Sequence, residues 1–248
     1  MRWRVIPLNV HDAYTNMALD QSIMEGVGRG ESPPTIRFYR WRPSAVSIGY
    51  FQSLEEEVDL EECSRHGVDW VRRITGGGAV YHDYRGEVTY SVIAPEELFP
   101  RDIRESYRLV CGWIIAGLRA LGIEGSFHPI NDVLVDGKKI SGNAQTRRGG
   151  VFLQHGTVLY DLNLRRMFTL LKVSKEKLSD KAIKKAEERV TCVRRYSEAG
   201  IEELYKALLQ GFTEDKDWGL GDLGKEELRH TRELVRRRYS TREWNMWR

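Results

Sequence analysis

The sequence predicts an α+β fold, with mixed or antiparallel sheets flanked by helices, rather than a doubly wound parallel sheet. Two observations carry that expectation. Strand-like runs and helical stretches alternate along the chain, and several of the strand-like runs meet at hairpin-like turns.

Element by element, an apolar strand is expected around Trp3 to Leu8. From Asp12 to Val27, Tyr14, Ala18, Leu19, Ile23 and Val27 fall at helical spacing, and Gly26, Gly28 and Gly30 end the helix. TIRFYRW and AVSIGYFQ read as two strands, paired as a hairpin or lying side by side, joined through Arg42-Pro43-Ser44. Glu55 to Glu62 reads as a solvated helix face around Val58 and Leu60. GEVTYSVIAP alternates like a strand up to Pro95. From Ile103 to Leu121, apolar residues at 103, 107, 110, 114, 118 and 121 step by three or four, the pattern of an amphipathic helix that Gly122 terminates. Three short strands follow: NDVLVDGKKI with an Asp136-Gly137 turn, SGNAQTRRGG, and VFLQHGTVLYDL. Beyond Asn163 the chain is helical in character, with helices expected over 201–212 and 225–239 and a glycine-bearing linker, DWGLGDLG, between them. The two tryptophans of REWNMWR are expected to cap the core.

With 248 residues, 41% of them hydrophobic and 30% charged, the chain can bury one sizeable core. Residues 1–248 are expected to form one domain with a helical extension from about residue 200. Lys and Arg number 39 against 36 Asp and Glu, and a net charge of +3 gives no reason to expect a nucleic acid partner. Cys63, Cys111 and Cys192 are scattered and odd in number, which suggests neither a disulfide framework nor a zinc site and fits a reducing cytoplasm. No uncharged apolar run reaches the roughly 18 residues that a membrane span requires. Lys172 to Arg195 holds nine basic and four acidic residues, a solvated face by default and a docking surface for an acidic partner as the second reading.

The stretch that demands a functional explanation is VRRITGGGAVYHD, Val71 to Asp83. Gly76, Gly77 and Gly78 remove every Cβ where a ligand can lie against bare backbone, while Arg72 and Arg73 bring planar forks suited to phosphate oxygens. Three glycines alone would fit a bulged hairpin; with the arginines, His82 and Asp83 attached, an anion-binding site is the better reading. The dinucleotide fingerprint, the P-loop, HExxH and GxSxG are all absent. What remains is this loop together with Asn131-Asp132, Lys139 before SGNAQ, and His155-Gly156-Thr157. In the strand after the Asp136-Gly137 turn, Lys138 and Lys139 face opposite ways, so one alone can enter a site. A lysine, an arginine and open backbone suit charge building on a phosphate or an acyl oxygen. Activation of a carboxylate by ATP is one such reaction; it requires no side-chain nucleophile, and a magnesium ion held partly by Asp132 would balance the phosphates.

RRITGGGAVYHD resembles the RRxxGGGxVxHD signature of the lipoate-protein ligases, within the wider group of biotin and lipoate ligases and octanoyltransferases. NMALD, PINDV, GKKISGNAQ and LQHGTVL match as well, so the resemblance spans about residues 9 to 165. It implies a catalytic domain like those of class II synthetases and biotin ligases, and a ligase that converts lipoate with ATP and Mg2+ to lipoyl-AMP. The lipoyl group would pass to a lysine on a lipoyl domain of a 2-oxoacid dehydrogenase (E2) or on glycine-cleavage H protein. It further implies that Arg73 contacts the adenylate phosphate, that Gly78, Ala79, Val80 and Tyr81 line the nucleotide, and that Gly76, Gly77 and His82 follow the lipoyl chain. Lys139 would hold both acyl carbonyl and phosphate, Asp132 would lie at the phosphate or metal with Asn131 in support, and His155 would border the acyl pocket.

Two departures matter. Full-length bacterial ligases carry an accessory domain for which too little chain follows Phe212, so a separately encoded accessory subunit, as in some archaeal members, is expected. Octanoyltransferases of this fold use a cysteine, in one branch just upstream of the lysine motif, where this chain reads GSFHPINDV. That absence places the ligase ahead of an octanoyltransferase drawing on octanoyl-acyl carrier protein, which would have to form a thioester on Cys63, Cys111 or Cys192. A non-catalytic acyl-binding module is a third reading, against which the intact lysine stands.

Overall fold

The computed structural model describes residues 1–172 and 180–248. Along the chain run β1 (Trp3–His11), α1 (Ala13–Gly28), β2 (Thr35–Trp41), β3 (Ala45–Ile48), α2 (Leu54–Glu57), α3 (Leu60–Arg65), β4 (Asp69–Arg72), β5 (Val80–His82), β6 (Glu87–Pro95) and α4 (Ile103–Ala120). Then follow β7 (Ser126–His128), β8 (Asp132–Val135), β9 (Lys138–Arg148), β10 (Val151–Leu159), α5 (Leu164–Leu170), α6 (Asp180–Glu187), α7 (Ile201–Thr213), β11 (Trp218–Leu220), α8 (Lys225–Leu234) and α9 (Arg242–Asn245).

Eight strands form the main sheet in the order β11-β1-β2-β6-β10-β9-β8-β7, and β4-β3-β5 form a small second sheet. Only the β11-β1-β2 side of the main sheet is parallel; from β2 through β6, β10, β9, β8 and β7 every pairing is antiparallel. This is the α+β arrangement that the hairpins predict. One face packs against α4 and α7 around Val110, Ile114, Leu118 and Phe212; the other packs against α1 around Met17, Ala18 and Ile23. Each fully buried aliphatic side chain contributes about 1.5–3 kcal/mol, so the stripe of α4 fixes that helix to the sheet. Ile103, placed on the stripe by periodicity, is 59% exposed because it is the first helical residue, beyond the sheet edge that the next turns cover.

The structure amends four sequence-based expectations. TIRFYRW and AVSIGYFQ lie in different sheets: β2 is already flanked by β1 and β6, which leaves no free edge for β3. The acidic 55–62 segment is two short helices, because Asp59 leaves the helical conformation to cap α3 at the Glu62 amide. The linker after α7 contains β11, which adds in parallel to β1, so the chain beyond residue 200 completes the main sheet rather than extending from it. Of the closing tryptophans, Trp244 packs beside Tyr239 and donates to the Arg72 carbonyl at 2.9 Å, whereas Trp247 is 42% exposed. The basic 172–195 segment falls partly outside the described residues.

No described helix is long and apolar enough to cross a membrane.

Candidate active site

β5 and the glycine loop before it face β2, β6, β9 and β10 across a cavity of about 450 Å3, within the range of roughly 300–1,000 Å3 typical of small-molecule sites. Its apolar lining comes from Met17, Trp41, Leu164, Met167 and Leu171, and Lys139 enters from β9. Among the described lining residues, Lys139 and Arg73 are the lysine and arginine side chains.

The two cations are held very differently. Arg73 is buried and tied to its own loop: Nη1 donates to the Ser47 carbonyl at 3.2 Å and to Ser47 Oγ at 3.1 Å, while Nη2 donates to the carbonyls of Gly76 and Gly78 at 2.9 and 2.8 Å. Burial pulls its pKa down to about 10, with the nearby tyrosines opposing. The guanidinium expected at a phosphate instead shapes the loop. Arg72 is also structural, donating to the Tyr50, Gln52, Trp244 and Asn245 carbonyls and so fastening the carboxy-terminal segment. Lys139 keeps its reach: its side chain is 40% exposed, and Nζ stands 2.7 Å from Asp132 Oδ1. That approach has ion-pair distance without hydrogen-bond angles, since Oδ1 makes no hydrogen bond, and the ammonium protons stay available to a bound carbonyl.

Gly142 is what permits this placement. A Cβ there would sit 2.6 Å from Lys139 Cε and 2.7 Å from Nζ, so the lysine lies across bare backbone three residues further along its own strand. Asn131 and Asn143 clamp the neighbouring segment to β9: the Asn143 amide and side chain donate to the Asn131 carbonyl at 3.1 and 2.8 Å, and Asn131 Nδ2 donates in return to the Asn143 carbonyl. Tyr90 donates to Asn143 Oδ1 at 2.6 Å, fixing the amide orientation from β6.

Two histidines line the cavity. His155 places Nε2 2.7 Å from Thr75 Oγ1 and Nδ1 3.0 Å from Asp20 Oδ2. Burial lowers its pKa, outweighing the Asp20 partner. Asp20 is a buried hub: desolvation pushes its carboxyl up, but Arg37 at 2.7 Å, His155 and Ser91 together hold it below the ordinary value. His82 stacks on Trp41, with ring centres 4.0 Å apart, and bonds Ser47 Oγ at 2.8 Å and Glu87 Oε1 at 2.6 Å.

Of the residues singled out from the sequence, Arg73, Gly77, Gly78, Ala79, Val80, Tyr81, His82, Asn131, Lys139 and His155 all line this cavity. Gly76 and Asp132 stand one contact behind it, acting through Arg73 and Lys139 respectively. As a metal site, Asp132 fits poorly: a single carboxylate with an ammonium at 2.7 Å is a weak donor set, and no cluster of three or more His, Cys, Asp or Glu suited to a metal ion occurs among the described residues. Sequence reasoning missed Ser47 and Glu87, whose segments read only as strands, and passed over Asp20 and Thr75 although they stand inside the NMALD and RRITGGGAVYHD motifs. Gly142 and Asn143 stood inside the lysine motif and are visible there in retrospect as its small and amide positions.

The three thiols lie off the cavity. Cys63 and Cys111 are fully buried, and desolvation pushes each up to about 12; burial also raises Cys192. Cys111 lies behind the cavity wall, its Sγ accepting from the Asn143 side-chain amide at 3.4 Å.

The family model of the lipoyl protein ligase A/B catalytic domain matches residues 12–213. The chain belongs to that family. Among solved structures, a bi-partite lipoate protein ligase from Thermoplasma acidophilum superposes with a TM-score of 0.89 at 35% identity, covering 99% of this chain and 96% of that one. A lipoate-protein ligase A bound with ATP gives 0.85 at 31% identity, covering 99% of both. The fold is therefore that of a lipoate-protein ligase catalytic domain. The curated relatives bear a different name. Octanoyltransferase LipM of Geobacillus kaustophilus is 36% identical over 98% of this chain and 97% of that protein, and its counterpart in Kyrpidia tusciae is 38% identical over 98% of both. These full-length relatives overturn the ATP-dependent lipoate ligase inferred from the sequence and support the octanoyltransferase that ranked second. The sequence-based preference rested on the missing cysteine in GSFHPINDV, and a missing thiol excludes only a thiol-based route to acyl transfer, not the transfer itself.

Proposed function

We propose that this protein moves an octanoyl group from the thioester of an acyl carrier protein to the ε-amine of a lysine on a lipoyl-domain acceptor, without consuming ATP. The observation that carries the reading is the unequal use of the two cavity cations. Arg73 is committed to Ser47 and the glycine loop, while Lys139 presents protons to a single developing oxyanion. A thioester needs one such charge stabilised at its carbonyl; an adenylate needs phosphate charge met as well. Burying an acyl chain against the apolar lining contributes about 0.8 kcal/mol for each methylene. The names and near-complete coverage of the relatives support the same choice.

The test combines the protein, octanoyl-acyl carrier protein and a lipoyl domain, with no nucleotide, and follows the intact mass of the acceptor. One octanoyl amide per domain is expected, lost in Lys139→Ala and kept in Lys138→Ala. An acceptor that stays unmodified with the thioester donor, yet gains mass when ATP and a free fatty acid are supplied, would refute the reading.

A further inference from the structure

Both cavity histidines sit between a hydroxyl and a carboxylate, but only one of the two sets opens to the cavity. In the set Thr75–His155–Asp20, Thr75 is fully buried away from the lining, and Asp20 is already committed to Arg37 and Ser91. In the other, Ser47, His82 and Glu87 all line the cavity. We infer that Ser47 is an acyl-accepting nucleophile, with His82 as its base and Glu87 holding His82 in register; the inference rests on the acyl-transfer reading above.

The hydrogen bonds set the proton positions. Glu87 Oε1 accepts from Thr89 Oγ1 at 2.9 Å and lies 2.6 Å from His82 Nδ1, so the Nδ1 proton is the one donated to the carboxylate. Nε2 then faces Ser47 Oγ at 2.8 Å with its lone pair free. Oγ also accepts from Arg73 Nη1 at 3.1 Å, which directs the hydroxyl proton toward His82 and places positive charge beside the oxygen that would become anionic. The ring cannot turn away, because Trp41 stacks on it and is itself anchored through Nε1 to Thr89 Oγ1 at 2.8 Å. Among the described residues the amides of Gly77 and Gly78 donate to no protein partner, and the same guanidinium that bonds Ser47 Oγ ties their loop through the Gly76 and Gly78 carbonyls, so unpaired N–H donors stand in the loop next to this relay. These are the elements of a hydroxyl–imidazole–carboxylate relay, assembled from β3, β5 and β6.

In the first half-reaction Oγ attacks the thioester carbonyl, its proton passes to His82 Nε2, and the C–S bond breaks as the sulfur takes that proton and leaves as the carrier thiol. In the second, the neutral amine of the acceptor lysine attacks the serine ester. The C–O bond breaks, His82 takes a proton from the attacking nitrogen and returns one to Oγ, and the products are the amide and free Ser47. Ser47 is only 2% exposed, which limits hydrolysis of the ester between the two steps.

The experiment uses p-nitrophenyl octanoate as probe, with intact and peptide mass spectrometry, beside the full transfer assay. The wild type is expected to acquire one octanoyl ester on Ser47. Ser47→Ala loses the adduct, and its nitrophenol release falls by roughly 10³-fold or more. Ser47→Cys, nearly isosteric, regains an adduct as a thioester cleaved by hydroxylamine at neutral pH, which separates loss of the nucleophile from loss of fold. An adduct on Cys111 or another thiol, no adduct on the wild type, or unchanged carrier-dependent transfer by Ser47→Ala would each overturn the assignment, the last leaving the acyl-transfer reading intact. A wild type that acylates Ser47 from the probe yet passes nothing from octanoyl-acyl carrier protein to the lipoyl domain would refute that reading and keep Ser47.

Discussion

Replacing Gly142 with alanine tests whether the position of Lys139, rather than its mere presence, sets the activity. The new methyl carbon would stand 2.6 Å from Lys139 Cε and 2.7 Å from Nζ, against the 3.4–4 Å of ordinary contact, so the end of the lysine must retreat by roughly 1 Å. The obstruction is the tip of a flexible side chain, with Asp132 Oδ1 next at 3.7 Å, so the fold can accept the methyl group while the ammonium cannot stay where it is. Gly142 does not occupy the left-handed region, and alanine there narrows the unfolded ensemble, worth about 0.4–1 kcal/mol in favour of folding. A 1 Å displacement of a group that must meet an oxyanion costs up to about 10²-fold in rate, or roughly 2.7 kcal/mol of transition-state stabilisation. Gly142→Ala is therefore expected to melt at or slightly above the wild-type temperature and to transfer octanoate about 10²-fold more slowly, measured by acceptor mass gain over time. A variant within about threefold of wild type, while Lys139→Ala is inactive, would refute the claim that bare backbone at 142 places the lysine.

Asp20→Ala leaves Arg37 charged and buried without its carboxylate, which costs about 3–5 kcal/mol; a melting temperature lowered by roughly 10 °C in a thermal scan is expected, and a change under about 2 °C would contradict it. His155 is held below its ordinary 6.5, so the unfolded chain takes up a proton first as pH falls: its share of stability is complete above 6.5 and is lost progressively below it. Denaturant midpoints should thus fall from pH 7.5 to 5.5 (about two units) more steeply in the wild type than in His155→Gln, and parallel slopes would count against the buried neutral imidazole. Gly49→Ala puts a methyl 2.9 Å from the Gly77 carbonyl carbon and closer still to its oxygen, backbone atoms that cannot rotate aside. A loss of about 1–3 kcal/mol in chemical denaturation is expected, together with slower transfer as the glycine loop shifts; full stability would mean that the loop is less tightly seated than this contact implies.

The sequence by itself marked part of the cavity wall. The glycine loop and Lys139 are short-range signatures, legible because a loop without Cβ atoms and a lysine after a tight turn each break the ordinary pattern of strand and helix, while His155 was legible only through the LQHGTVL motif of the family resemblance. Helix α4 was equally legible, since it buries one stripe and a 3.6-residue period survives in the order of the letters, whereas α1 is buried on nearly every side and was marked by its apolar spacing and the glycines at its end. Tertiary structure alone decided what those residues do. Arg73 reads as a phosphate ligand until the fold brings the Ser47, Gly76 and Gly78 oxygens to its guanidinium, and a buried fork satisfied by four acceptors has little left to offer a ligand. The placing of β2 and β3 in separate sheets and the addition of β11 to β1 depend on which edges remain free after all the other strands have paired, information that no window of sequence contains. For the same reason Ser47, His82 and Glu87 could not be linked beforehand: they belong to three strands, and the hydrogen bonds that join them exist only once the two sheets close on one cavity.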